Sequence, residues 1–261
     1  MKLFLSTVIW ESALRKEMTQ VGIIEIADKF GFAGIEFRPF WKDTVAEVPI
    51  IAEKLIQSGL EVTYACNDSI LSNSMETTLN AIKGVSQSLL IADTLKAKIL
   101  RFNLATSDFE KDFLNTEWWK EAVAGIIKQA SSLNIVLAIE NAPDSSKGDP
   151  RLLLQILSEF DSTWLRLTFD TGNWLYTAYS PKQAFDLLKD YIGYVHIKDI
   201  IRDNANLKHI NPGSGIVDLS DLICQLQKIY SGIYTLEFPG AEDPITRIQH
   251  SLSFLSAFRA Q

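Results

Sequence analysis

Short apolar runs alternate with longer amphipathic stretches from one end of this chain to the other, and that alternation restricts its fold more than any other feature. The short runs are Leu3–Val8, Gly34–Phe37, Val62–Cys66, Lys98–Asn103, Ile135–Glu140, Leu167–Asp170, Tyr194–Lys198 and Tyr234–Phe238, lengths that suit buried strands. The stretches near 21–30, 50–57, 75–95, 116–132, 149–160, 181–191, 218–230 and 244–259 repeat apolar residues at three- and four-residue spacing and read as helices. Asp149-Pro150, Ser180-Pro181 and Asp243-Pro244 each place a capping side chain before a proline, a helix-start signal. Repeated strand–helix units make a parallel sheet. Eight such units without a long Gly/Ser/Pro-rich linker predict one α/β domain over residues 1–261, a closed (β/α)8 barrel. The rival is a doubly wound open sheet, which normally carries a glycine-rich phosphate loop after an early strand. Neither GxGxxG nor GxxxxGKS/T occurs.

Charge narrows the ligand. A net charge of −7 argues against nucleic acid or an anionic membrane as partner, since either needs a basic face. Cys66 and Cys224 lie far apart without CxxC spacing, so no disulfide framework or zinc knuckle is expected and a reducing, cytoplasmic setting is. The opening MKLFLSTVIW meets Glu11 at once and reads as the first strand rather than a leader. No apolar run is long enough to span a membrane. A small-molecule ligand is expected, with homo-oligomerisation left open.

Barrel enzymes carry their chemistry at the carboxyl ends of the strands. The polar residues there are Trp10 after the first strand, Glu36 and Arg38 on the second, Asn67 after the third, and Arg101 and Asn103 on the fourth. Glu140 and Asn141 belong to the fifth, Asp170 and Asn173 to the sixth, His196, Lys198 and Asp199 to the seventh, and Glu237 to the eighth. An unpaired buried charge costs several kcal/mol, so packing alone does not account for such residues on nearly every strand. A buried ion pair across the barrel explains any one glutamate. Four consecutive strands ending in Glu140, Asp170, His196 and Glu237 point instead to a site for one divalent metal ion, with Mn, Mg, Co or Zn suited to those oxygen and nitrogen donors.

GFAGIEFRPF at 31–40, LAIENAP at 137–143, FDTGNW at 169–174, YVHIKD at 194–199, NPGSGIVDL at 211–219 and TLEFPG at 235–240 together resemble the xylose isomerase-like superfamily of TIM barrels, the sugar isomerases and epimerases. In ketose 3-epimerase-like members the matching residues hold one divalent cation, which implies Glu140, Asp170, His196 and Glu237 as ligands with two coordination positions left for substrate. Two positions depart from that pattern. Asn173 stands where a histidine is common, and Ser146 where some members carry a second glutamate. Neither departure touches the metal ligands; both weaken the assignment of epimerisation in particular.

The implied chemistry is that of an isomerase or epimerase of a small sugar or ketose. A cation on a ketone oxygen and the adjacent hydroxyl acidifies the intervening C–H by stabilising an enediolate, and a carboxylate takes the proton. Glu140 and Glu237 are the expected acid/base pair. Loss of a β-hydroxyl from the same intermediate would make an inosose-type dehydratase, and a barrel that has lost the reaction is a third reading. For substrate contacts we single out Asn173; Glu36, which a salt bridge to Arg38 or Arg101 could equally explain; and Lys198, which shares the inward strand face with His196. His209 and Arg202 in the loop after strand seven could reach a hydroxyl, or a phosphate if the substrate has one. Trp10 could wall a sugar face. The Gly213-Ser214-Gly215 turn is a weak anion-binding signal.

Overall fold

The computed structural model describes residues 1–204 and 206–258. Eight parallel strands close into a barrel: β1 (Lys2–Ser6), β2 (Gly34–Phe37), β3 (Glu61–Leu71), β4 (Ile99–Ala105), β5 (Val136–Glu140), β6 (Leu165–Asp170), β7 (Ile192–Ile197) and β10 (Ile233–Leu236). Sequential strands are neighbours, and β1 pairs with both β2 and β10 to complete the ring. Between them come the helices α1 (Glu11–Leu14), α2 (Val21–Lys29), α3 (Thr44–Ser58), α4 (Met75–Thr94), α5 (Glu117–Leu133), α6 (Pro150–Phe160), α7 (Pro181–Leu188) and α8 (Leu219–Ile229), with α9 (Pro244–Leu255) after the last strand. Asp149, Ser180 and Asp243 cap α6, α7 and α9 as the cap–proline pairs predict, each side chain accepting from a first-turn N–H. Residue 259, the expected end of the last helix, lies outside the described residues.

Alternation along the strands divides the core in two. Leu3, Leu5, Leu137, Ile139 and their counterparts pack outward against the helices in one large cluster. Phe4, Ile99, Ala138, Tyr194 and Ile233 form a separate small cluster on the opposite strand faces, a plug inside the barrel. A Cβ at Gly34 would run into the Phe4 ring and the Glu61 carbonyl, so glycine is what lets this plug close.

Three segments differ from the sequence reading. The helix expected at 50–57 starts at Thr44, because Asp43 accepts from the N–H groups of Val45 and Ala46; Pro49, which suggests a start, lies within the helix. β3 continues through polar Asn67 and Asp68 to Leu71, with its register against β4 shifting between Ala65 and Ser69. The loop expected after strand seven is an antiparallel hairpin, β8 (Asp199–Asp203) with β9 (Asn206–Ile210).

The hairpin is closed at its base by one side chain. Asp199 Oδ1 accepts from the N–H groups of Ile200 and Val217 at 2.8 and 3.0 Å, and Oδ2 from those of Gly213 and Gly215 at 3.2 and 2.8 Å. No helix among the described residues is long and apolar enough to cross a membrane.

Candidate active site

Above the apolar plug the barrel interior turns polar, and Tyr194 spans the change. Its ring belongs to the plug, while its hydroxyl donates to Glu36 Oε2 at 2.8 Å and lies 2.9 Å from Thr63 Oγ1 and 2.6 Å from Thr235 Oγ1. Glu36 is fully buried. It accepts from Ser6 Oγ at 2.7 Å and meets His196 Nε2 at 2.7 Å. Burial pushes the Glu36 carboxyl upward, but the His196 ring against it and the Arg38 guanidinium outweigh that and hold it down at about 2.

His196 therefore stands between two carboxylates, with Nδ1 2.8 Å from Glu140 Oε1. Glu140 Oε2 also forms a close ion pair with Arg101, whose Nη1 donates to the Cys66 carbonyl at 3.0 Å. Burial, and repulsion from Arg38, bring Arg101 down to about 10.

Asp170 is set by its surroundings on three sides. Asn141 Oδ1 accepts from its main-chain N–H at 2.7 Å, and its own Oδ1 accepts from the N–H groups of Gly172 and Asn173, each at 2.9 Å. Oδ2 faces Lys198 Nζ at 3.0 Å, and the same ammonium lies 2.5 Å from Glu237 Oε2. Thr171 fixes the Lys198 backbone, its hydroxyl donating to the Lys198 carbonyl and accepting from the Lys198 N–H. Burial raises both carboxyls and Lys198 lowers both, but Glu237 also has Arg38 3.9 Å away. Glu237 is consequently held below the usual carboxylate range and Asp170 above it. Burial disfavours the Lys198 ammonium; the two carboxylates more than compensate and raise it.

Glu140, Asp170 and His196 are thus brought together, one donor atom from each lying within 4.8 Å of the others, all three buried. Glu237 is not within that group; it is joined to it through Lys198. The three donors fit a divalent ion of the oxygen/nitrogen class. Asp170 Oδ2 is buried and meets the Lys198 ammonium, and with a proton on Nε2 directed to Glu36, His196 would offer Nδ1 as the ligating nitrogen, the usual carboxylate–histidine support.

The remaining residues singled out from sequence are placed as follows. Asn173 is 1% exposed, donates from Nδ2 to the Asn141 carbonyl at 2.8 Å and keeps a buried, unpartnered Oδ1. His209 lies in β9 and its ring packs edge-on against Tyr176, ring centroids 5.5 Å apart, and burial with the nearby Lys198 charge lowers it to about 4. Arg202 is exposed on the hairpin with no ion pair among the described residues. Trp10, expected as a wall for a sugar face, is instead buried in the outer apolar cluster. Ser146 is exposed and spends its hydroxyl on Asp144 Oδ1. The Gly213-Ser214-Gly215 amides are not free for an external anion, because Asp199 already takes two of them.

Tyr194, Ser6, Thr63 and Thr235 escape a reading that looks only at strand ends. The signal was present in the two-residue period: Tyr194 lies two before His196, and Thr235 two before Glu237.

Residues 24–258 match the family described as xylose isomerase-like TIM barrel. Over 145 residues the chain is 25% identical to an uncharacterized protein of Methanocaldococcus jannaschii, a match spanning 53% of this chain and 48% of that protein, about half its length. Two solved structures share the fold at low identity. D-psicose 3-epimerase of Clostridium cellulolyticum H10, solved with D-tagatose, superposes with a TM-score of 0.79 at 17% identity, covering 100% of this chain and 99% of that one. IOLI protein, solved with a zinc atom, gives 0.79 at 16% identity over 100% of each chain.

Proposed function

Since the chain belongs to the xylose isomerase-like TIM barrel family, we propose that it is a divalent-metal-dependent isomerase or epimerase of a small ketose, working by proton abstraction next to a carbonyl. The observation that carries this reading is the buried Glu140, Asp170 and His196 trio at the carboxyl ends of three adjacent strands, where barrel enzymes place their chemistry. These three would hold the ion, with Glu237 beside them. When bound, the ion supplies Lewis-acid polarisation of the substrate carbonyl.

The chain's own groups do the rest. Glu237, kept ionised by Lys198 and Arg38, is suited to take a proton from carbon, and Glu140 to exchange one on the other face. Lys198 has three donors and two acceptors in contact, so its ammonium can also stabilise a developing enediolate oxygen. Asn173 Oδ1 can accept from a substrate hydroxyl, and His209 stands near Lys198 on the hairpin side.

The test is a screen of ketoses and inososes with Mn or Co in deuterated water. Expected is solvent deuterium at the carbon next to the carbonyl with no change in carbon skeleton, abolished in Glu237→Gln. A product lighter by one water would assign a dehydratase instead. No exchange with any metal would leave a non-catalytic barrel.

A further inference from the structure

Arg38 makes no side-chain hydrogen bond among the described residues, and two of its guanidinium nitrogens are buried without a partner. Its backbone is pinned: the main-chain N–H donates to Thr7 Oγ1 at 3.1 Å, and the carbonyl accepts from Gln20 Nε2 at 2.9 Å. The residue is only 9% exposed, yet Nε and Nη1 are buried without a hydrogen-bond partner. Its charge contacts, 3.6 Å to Glu36 Oε1 and 3.9 Å to Glu237 Oε1, are too long for hydrogen bonds. Arg101 donates to the Cys66 carbonyl and pairs closely with Glu140, so that only its Nε is left unmet. A buried donor without an acceptor is costly, and a guanidinium presents its donors as a rigid fork matched to a planar oxyanion. A planar oxyanion meeting this guanidinium end-on would take Nη1, which lies 3.9 Å from Glu237 Oε1, as one of its two donors beside the acid/base carboxylate.

We propose that Arg38 is a substrate-binding residue that receives a carboxylate, and that the substrate is a sugar acid of the keto-acid class rather than a neutral ketose. This rests on the isomerase reading above for the identity of the site. Charge balance agrees with it. Four carboxylates, Glu36, Glu140, Asp170 and Glu237, face three cations, Arg38, Arg101 and Lys198, so a divalent ion would leave the site with one positive charge to be met by a monoanion. A phosphate fits less well. Glu36 and Glu237 flank the guanidinium and oppose a dianion, and the amides near the loops after the last strands, where barrels commonly bind phosphate, are consumed by Asp199.

The probes are D-fructose, D-fructuronate and D-fructose 6-phosphate, titrated calorimetrically into the full chain with Mn, for wild type, Arg38→Met and Arg38→Lys. Expected is fructuronate binding at least about tenfold tighter than either other sugar. Arg38→Met should bring it to the fructose level, and Arg38→Lys, which keeps the charge but not the fork, should recover only part. Equal affinity for the three sugars in wild type, including no measurable binding of any, would overturn the proposal; so would an equal loss for fructose and fructuronate in Arg38→Met. Should Arg38→Met fail to fold by circular dichroism, the wild-type ranking and Arg38→Lys carry the test. Deuterium exchange separates the two readings. Fructuronate bound through Arg38 without exchange removes the isomerase and keeps the carboxylate site; fructose exchanged by wild type while fructuronate binds no more tightly than fructose removes the carboxylate site alone.

Discussion

Glu36 Oε2 and His196 Nε2 meet at 2.7 Å in the fully buried centre of the barrel, which aims the other ring nitrogen at Glu140. Support of this kind typically contributes a factor of about 10–100 in metal affinity. Glu36→Gln is therefore expected to weaken Mn or Zn binding by roughly that factor, read by equilibrium dialysis. Unchanged affinity would show that Glu36 does not orient the ring.

Arg101 and Glu140 form a buried ion pair between β4 and β5. Removing one member leaves the other buried and uncompensated, so Arg101→Met should cost about 3–5 kcal/mol in urea unfolding. The double variant Arg101→Met with Glu140→Gln should recover part of that loss. A single variant as stable as wild type would mean that Glu140 finds another partner.

The low value of His209, about 4 against an ordinary 6.5, makes it a source of pH-dependent stability. Its folded value lies below its unfolded one, so the folded state favours the neutral ring. The contribution is fully present above about 6.5 and is lost as pH falls through about 4. Histidine NMR should give this ring a midpoint near 4, and Lys198→Met should raise it by removing the neighbouring charge. A midpoint near 6.5 in the folded protein would contradict the burial described.

Asp199→Ala removes the acceptor of four main-chain N–H groups at once. Each buried donor left unmet costs about 1–3 kcal/mol unless water reaches it. Faster hydrogen exchange is expected at Ile200, Gly213, Gly215 and Val217, with the barrel strands unaffected. Protection unchanged at those amides would assign the loop's order to other contacts.

The barrel was legible in the sequence because parallel strands buried on both faces must be short and apolar, and the helices between them carry their own period and caps. Glu140, Asp170 and His196 could be expected to converge because each ends a strand, and neighbouring parallel strands bring their ends together. Their partners were less accessible. Whether Arg101 turns to Glu140 or Glu36, and whether Lys198 spans Asp170 and Glu237, depends on strand register and rotamers that no local pattern encodes. The continuation of β3 was hidden by Asn67 and Asp68, a polar interruption where the register shifts. The β8–β9 hairpin lacks the Asn-Gly or Asp-Gly pair that usually marks a tight turn.

One carboxylate ties both ends of that hairpin to the barrel, and Tyr176 holds its second strand, donating to the Leu207 carbonyl and packing against His209. Lengthening such an excursion adds little closure entropy, and it leaves the strand register untouched. The hairpin tip beyond the Tyr176 contacts can therefore be exchanged without disturbing the barrel strands that carry Glu140, Asp170 and His196. Grafted hairpins of other lengths that retain Asp199 and both glycines offer a route to redirect substrate choice on this scaffold.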